Sequence, residues 1–246
     1  MKSFGLTDKG AVRKDNQDSF ILEKCRNNLI VALCDGMGGA KAGGIASQLA
    51  NKAFVSYVYG TLTARVSRII DYRKILREAC EEANGVSFEY SNFDEAFNGM
   101  GTTIVGGVIK SNGKGYIINV GDSRAYHISR RNNSIRQITR DHSLVGELME
   151  AGAITKEQAR THPQKNIITR ALGTERRVEC DYYEIALQGG ETLLLCSDGL
   201  SNIVSDLEML ECAKEHPEPE QLCRALMSRA LNRGANDNVT VVAVTR

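Results

Sequence analysis

This sequence predicts an α+β fold in which antiparallel sheets carry helices on their outer faces, and three observations lead there. Nine short segments rich in β-branched residues are each bounded by Gly, Asn or Asp. The helical patterns come in pairs between groups of strands, unlike the single-strand alternation of a repeated βαβ sheet. No low-complexity stretch, long linker or internal repeat marks a boundary, so the 246 residues are expected to form one domain, 1–246.

The strands are expected at 3–7, 19–24, 29–34, 102–109, 115–120, 125–129, 178–187, 191–196 and 238–245. SNGKG at 111–115 reads as a hairpin turn between two of them. Ile45, Leu49, Ala53, Phe54 and Tyr57 share one helical stripe, and Ile70, Ile75, Leu76, Ala79, Cys80 and Ala83 share the next. Ser205-x-x-Glu208 is a capping box that opens a third helix, and Leu222, Ala225, Leu226, Arg229 and Ala230 mark a fourth.

Composition excludes several function classes. Apolar residues make up 42% and charged residues 25%, with a net charge of +1, so no polyanion-binding surface for DNA or RNA is indicated. The opening MKSFGLTDKGAVRKD lacks the apolar stretch of an export signal, and the run Leu29 to Cys34 is far too short to span a bilayer. A cytoplasmic protein without a membrane segment is expected. None of the seven cysteines has CxxC spacing, which leaves little basis for a zinc or dithiol motif, and reduced thiols are the default. No long coiled-coil pattern appears, and a monomer is expected.

The chemistry lies in the acidic residues. Asp35 follows LIVALC, Asp122 follows YIINVG, Asp198 follows LLLCS, Asp237 precedes NVTVVAV, and Asp18 stands before the second strand. Each sits beside a strand end, where a rigid sheet can aim it at a shared point. Gly36 and Gly199 directly follow two of them and permit close backbone approach. A single Asp in such a place is most simply a turn former. Five in this pattern favour a cluster, and converging carboxylates repel by roughly 4 kcal/mol per pair at about 4 Å and an effective dielectric of about 20. Such a cluster needs divalent cations, and all-oxygen ligands select Mg²⁺ or Mn²⁺ over zinc.

Seven blocks then occur in order: Arg13-x-x-Asn16-Gln17-Asp18, Asp35-Gly36-Met37-Gly38-Gly39, Met100-Gly101-Thr102-Thr103, Asn119-Val120-Gly121-Asp122-Ser123-Arg124, Arg140-Asp141-His142-Ser143, Cys196-Ser197-Asp198-Gly199-Leu200 and Asp237-Asn238-Val239-Thr240. Together they resemble the signature of the bacterial type 2C protein phosphatases, a metal-dependent family, over about residues 7–244. One such block is weak; seven in order are specific. The resemblance implies an antiparallel β-sandwich flanked by helices on both sides, a four-layer α/β/β/α stack.

The resemblance also implies roles for particular residues. Asp35 would bridge two metals, the Gly36 carbonyl would bind the second, and Asp198 and Asp237 would bind the first. Asp18 would act through metal-bound water, Asp122 would help hold a third, weaker ion, and Arg13 would grip the substrate phosphate with its planar fork. On this reading Asp35, Asp198 and Asp237 are the catalytic carboxylates. Two metals can share a water and lower its pKa toward neutrality for attack on phosphorus. The implied enzyme is a phosphoric monoester hydrolase acting on phosphoserine and phosphothreonine. Its implied partners are phosphorylated proteins, a serine/threonine kinase and that kinase's substrates. The alternative is a catalytically weak phosphoprotein-binding module of the same fold, which should have lost metal ligands. Residues 142–172 match the family's flap, with a short helix capped by Thr155-x-x-Gln158, and are a candidate for substrate selection. His142 and His162 are expected to be structural. One departure stands out: family histidines proposed as the general acid are replaced here by Met37 and Ala40.

Two other signals fail. Cys223-x5-Arg229 has the spacing of a cysteine-dependent phosphatase, but its loop would be RALMS, which has no Gly and reads as helix. DGMGGAKAGG places Lys41 where a dinucleotide fingerprint needs its third Gly and Ile45 where a phosphate loop needs Lys.

Overall fold

A computed structural model describes residues 1–39, 42–64 and 70–246. Its strands are β1 (Lys2–Asp8), β2 (Asp18–Cys25), β3 (Asn28–Met37), β4 (Gly101–Thr102), β5 (Ile104–Lys110), β6 (Lys114–Val120), β7 (Arg124–Ser129), β8 (Ser134–Gln137), β9 (Asp181–Ala186), β10 (Thr192–Cys196) and β11 (Val239–Thr245). Its helices are α1 (Ala42–Ala64), α2 (Tyr72–Ser91), α3 (Leu144–Glu150), α4 (Lys156–Thr161), α5 (Asp198–Ser201), α6 (Asp206–Glu215) and α7 (Pro219–Asn232). One sheet runs β1-β11-β10-β7-β8 and the other β2-β3-β5-β6-β9, with β4 joined to β3. Neighbouring strands are antiparallel throughout.

The two-residue period of a strand explains the four layers. In LIVALC, Leu29, Val31 and Leu33 enter the core between the sheets, where they join Leu193, Leu195, Val242 and Val244 of the opposite sheet. Ile30, Ala32 and Cys34 point the other way and pack under Phe54 and Val58 of α1 and Ile75, Leu76 and Ala79 of α2. On the far side, Leu194, Cys196, Val241 and Ala243 meet α6 and α7 through Met209, Leu222 and Leu226. Both faces of the central strands are buried, so their sequences are continuously apolar rather than alternating. Each such Leu, Ile or Val contributes roughly 1.5–3 kcal/mol by leaving water.

Local chemistry sets the boundaries. Asp71 caps α2 by accepting from the Lys74 amide at 3.0 Å. The capping boxes of α4 and α6 are both complete, from Thr155 to Gln158 and from Ser205 to Glu208. Pro219 occupies the first turn of α7, where its missing N–H costs nothing.

Two expectations are corrected and one strand is added. The strand expected at 102–109 breaks at Thr103, whose amide leaves the ladder to donate to the Asp35 carbonyl at 2.9 Å. The strand expected at 178–187 starts only at Asp181, because the preceding loop is held by α2: Asn84 donates to the carbonyls of Glu175 and Arg176. β8 went unread because SIRQ, a four-residue edge strand, has one apolar side chain, Ile135, too few to show a period.

Candidate active site

Antiparallel pairing brings five separate aspartates to one end of the stack. Asp18 opens β2 and lies directly across from Asp35 near the end of β3. Asp122 lies in the turn from β6 to β7, Asp198 follows β10, and Asp237 precedes β11. Cys196 pairs with both Arg124 and Val241, so the ends carrying Asp122, Asp198 and Asp237 are adjacent. Two glycines allow this crowding. A Cβ on Gly36 would lie 2.0 Å from the Gly43 carbonyl oxygen, and one on Gly199 would lie 1.9 Å from that of Asn238. The Gly36 backbone therefore sits buried against the start of α1.

Asp35 is the hub: Asp18, Asp198, Asp122 and Asp237 all lie near enough to repel its carboxylate. Its main chain is fixed from both sides. The amide donates to Thr103 Oγ1 at 3.0 Å, and the carbonyl accepts from Thr102 Oγ1 at 2.8 Å. Asp18 Oδ2 accepts from Ser197 Oγ at 2.8 Å and Thr240 Oγ1 at 2.6 Å, so the second sheet holds a carboxylate of the first. Burial, followed by repulsion from its neighbours, pushes Asp35 well above the ordinary carboxylate range. Asp122 rises for the same reasons, and Asp198 rises through burial and Asp237. Burial raises Asp18 to about 6, with Asp198 adding to the rise and the Thr240 and Ser197 hydrogen bonds opposing it.

The donor set fits a hard dication. Asp18 Oδ1 and Asp122 Oδ1 are buried oxygens without a hydrogen-bond partner. Unsatisfied carboxylate oxygens facing other carboxylates are a costly arrangement that bound positive charge relieves. Among the described residues no three His, Cys, Asp or Glu side chains close tightly on a single point. The expected Gly36 ligand is a backbone carbonyl and lies outside such a side-chain set.

Arg13 reaches the rim of the cluster, where Nη2 donates to Asp237 Oδ2 at 2.8 Å. The contact is half-exposed, and Asp237, then Asp198 and Asp35, raise the guanidinium's pKa. Arg13 is placed by Asn238: Oδ1 accepts from the Gln17 amide at 2.8 Å, and Nδ2 donates to the carbonyls of Lys9 and Asp15 at 2.9 and 3.0 Å. Sequence reasoning saw Asn238 only as part of a block; its clamp on the 9–17 loop required the fold. Also missed was the pair Arg124–Asp141, closed by guanidinium bonds of 2.6–3.0 Å beside Asp122.

The 142–172 segment is tied at its base by pairing of Ser143 with Ile168 and of Leu172 with Thr102. A cavity of about 320 Å³ between this segment and the cluster is lined by Asp122, Asp198, Ser201, Arg160 and Lys165. His142 is buried; its Nδ1 accepts from the Gly121 amide at 3.1 Å and so supports the turn carrying Asp122. His162 caps the end of α4. Met37 is half-buried at the end of β3 and carries no titratable proton. Ala40 lies outside the described residues.

The raised carboxyls give a pH prediction for metal-free protein. A carboxyl with folded pKa above its unfolded value binds protons more tightly when folded. Its contribution is complete below about pH 4 and is lost as pH rises through about 6 for Asp18. In EDTA the thermal midpoint is expected to fall by roughly 5–10 °C between pH 5 and pH 8. Mn²⁺ should restore more at pH 8 than at pH 5, and scanning calorimetry at the two pH values checks both signs.

Comparison with known proteins adds independent findings. The sequence model described as protein phosphatase 2C matches residues 9–239. The serine/threonine phosphatase stp of Listeria welshimeri is 40% identical over 241 residues, covering 98% of this chain and 94% of that protein. The crystal structure of the serine/threonine phosphatase Stp1 from Staphylococcus aureus superposes with a TM-score of 0.88 at 36% identity, covering 99% of this chain and 94% of that one. The catalytic domain of the serine threonine protein phosphatase PstP, solved in complex with 2 manganese ions, gives 0.83 at 33% identity, covering 98% and 96%.

Proposed function

This chain belongs to the protein phosphatase 2C family, and from that premise we propose that it hydrolyses phosphoserine and phosphothreonine in proteins with the aid of Mn²⁺ or Mg²⁺. It is a metal-dependent serine/threonine protein phosphatase. The observation that carries this reading is the meeting of Asp18, Asp35 and Asp198 across two sheets, with buried carboxylate oxygens left unpartnered. A catalytically weak binding module would not need that costly arrangement, so the catalytic reading is preferred to the binding-module alternative.

Asp35, the Gly36 carbonyl, Asp198 and Asp237 are assigned to hold two ions, with Asp18 at one remove and Asp122 toward a third. When bound, such ions supply an activated water nucleophile and neutralise charge on phosphoryl oxygens. The chain's own parts do the positioning. Thr102 and Thr103 fix the Asp35 main chain, and Ser197 and Thr240 orient Asp18. Arg13, held by the Asn238 clamp, stands where its free guanidinium nitrogens can take two phosphate oxygens. Met37 cannot donate a proton to the leaving seryl or threonyl oxygen, so that proton is assigned to solvent water. The 142–172 flap, with Arg160 and Lys165 facing the cavity, is assigned to substrate selection within a single catalytic domain, 1–246.

Its substrates are assigned as phosphorylated proteins, including a serine/threonine kinase and that kinase's targets. The protein is proposed to act in the cytoplasm as a monomer; no described helix is long and apolar enough to cross a membrane. Purified protein with Mn²⁺ should release phosphate from a phosphothreonine peptide, and EDTA should abolish the release. Absence of metal-dependent turnover would favour the binding module. Arg13→Ala should lower kcat/KM by roughly 10²-fold, and Arg13→Lys should recover little, because a point charge cannot reproduce the fork. Steady-state kinetics on the same peptide checks both variants.

A further inference from the structure

Cys180 and Cys80 form a pair that the phosphatase chemistry does not use. They come from distant parts of the chain: Cys80 on α2, and Cys180 at the entrance to β9. Cys180 packs against the buried cluster that contains Cys80, close enough for the two thiols to shift each other's titration. Their accessibility differs. Among the described residues Cys180 is the one half-buried cysteine, and the other six are buried. Cys180 lines an open groove of about 600 Å³ together with Arg77, Arg176 and Arg177 and with the carboxylates Glu81 and Glu179. None of these three guanidinium groups has a carboxylate partner among the described residues.

We propose that Cys180 is a peroxide-reactive thiol and Cys80 its resolving partner, so that this groove is a site of reversible disulfide formation. The environment favours the step. The neighbouring Cys80 thiol, then Arg77, draws Cys180 below the ordinary thiol range, while burial and Asp181 oppose them. A thiolate beside a guanidinium in a partly open site is the nucleophilic form. Its sulfur attacks one peroxide oxygen; the O–O bond breaks, an S–O bond forms, and the departing hydroxide takes the thiol proton as water. The Cys80 sulfur then attacks the Cys180 sulfenic sulfur. An S–S bond forms, the S–O bond breaks, and the leaving hydroxide takes the Cys80 proton as a second water. One hydrogen peroxide is thus reduced to two waters as two thiols lose two electrons. The bond would tie α2 to the start of β9 one helical turn before Asn84. Asn84 already grips this loop through Gly173, Glu175 and Arg176.

The test treats the whole chain with limiting hydrogen peroxide and maps thiols by mass spectrometry. The expected product is a Cys80–Cys180 linked peptide that dithiothreitol reverses and that Cys180→Ser lacks. In Cys80→Ser, dimedone should trap a sulfenic acid on Cys180. Arg77→Gln, an exposed change that leaves the core untouched, should slow the reaction roughly threefold. A link between Cys34 and Cys80, oxidation of another cysteine while Cys180 stays free, or an unchanged rate in Arg77→Gln would overturn the proposal. Because the readout is covalent, it stands or falls independently of the phosphatase assignment.

Discussion

Asp198→Asn is expected to lower turnover by roughly 10³-fold, the upper end of what removing one preorganised transition-state stabiliser costs. The variant keeps the shape of the side chain and removes its charge. Asp198 lies beside Asp35 and Asp237, and its pKa is raised by burial and then by Asp237. Its charge therefore strains the metal-free fold and serves only when cations are present. The same substitution should leave the far-ultraviolet circular dichroism unchanged and should raise, not lower, the thermal midpoint in EDTA. Added Mn²⁺ should stabilise the variant less than the parent protein. Kinetics with a phosphothreonine peptide and melting curves with and without Mn²⁺ separate loss of a ligand from loss of fold. Normal turnover, or collapse of the folded signal, would remove Asp198 from the centre.

Arg124→Ala is expected to cost roughly 3–5 kcal/mol, because it leaves Asp141 buried without its counter-charge. The guanidinium holds both Asp141 oxygens and also donates to the Tyr126 hydroxyl at 3.1 Å. Asp141 keeps only a Gln137 amide, at 2.8 Å, from that network. Asp122 lies alongside, and its pKa already rises with the Asp141 charge while Arg124 lowers it. Truncation should therefore weaken both the fold and the third-ion position assigned to Asp122. Urea unfolding at pH 7 measures the loss. The double variant Arg124→Ala with Asp141→Asn should recover part of it, since the stranded charge is gone. A cost below about 1 kcal/mol would mean that the pair behaves as an exposed bridge.

Much of the site was legible because its residues follow short, continuously apolar strands buried on both faces. Asp35 and Asp198 are read directly from the ends of LIVALC and LLLCS. Arg13 was legible as a residue but not in its setting. Its Asp237 contact joins the beginning of the chain to its end, and no local pattern encodes that. The Asn84 grip on the loop before β9 was hidden for the same reason, since an asparagine on a helix carries no spacing signal. β8 escaped because four residues with a single apolar side chain show no period.

What the sequence determined by itself is local: strand and helix types, the completed capping boxes, and the placing of each aspartate beside a strand end. These follow from sterics, side-chain period and hydrogen bonds within a few residues. Only the tertiary structure decided which strand ends share one edge, that Asp18 faces Asp35 across a ladder, and that Cys180 packs on the cluster holding Cys80. Such pairings depend on register and on the packing of two sheets. The information for them is spread over the whole core and is expressed only when that core closes.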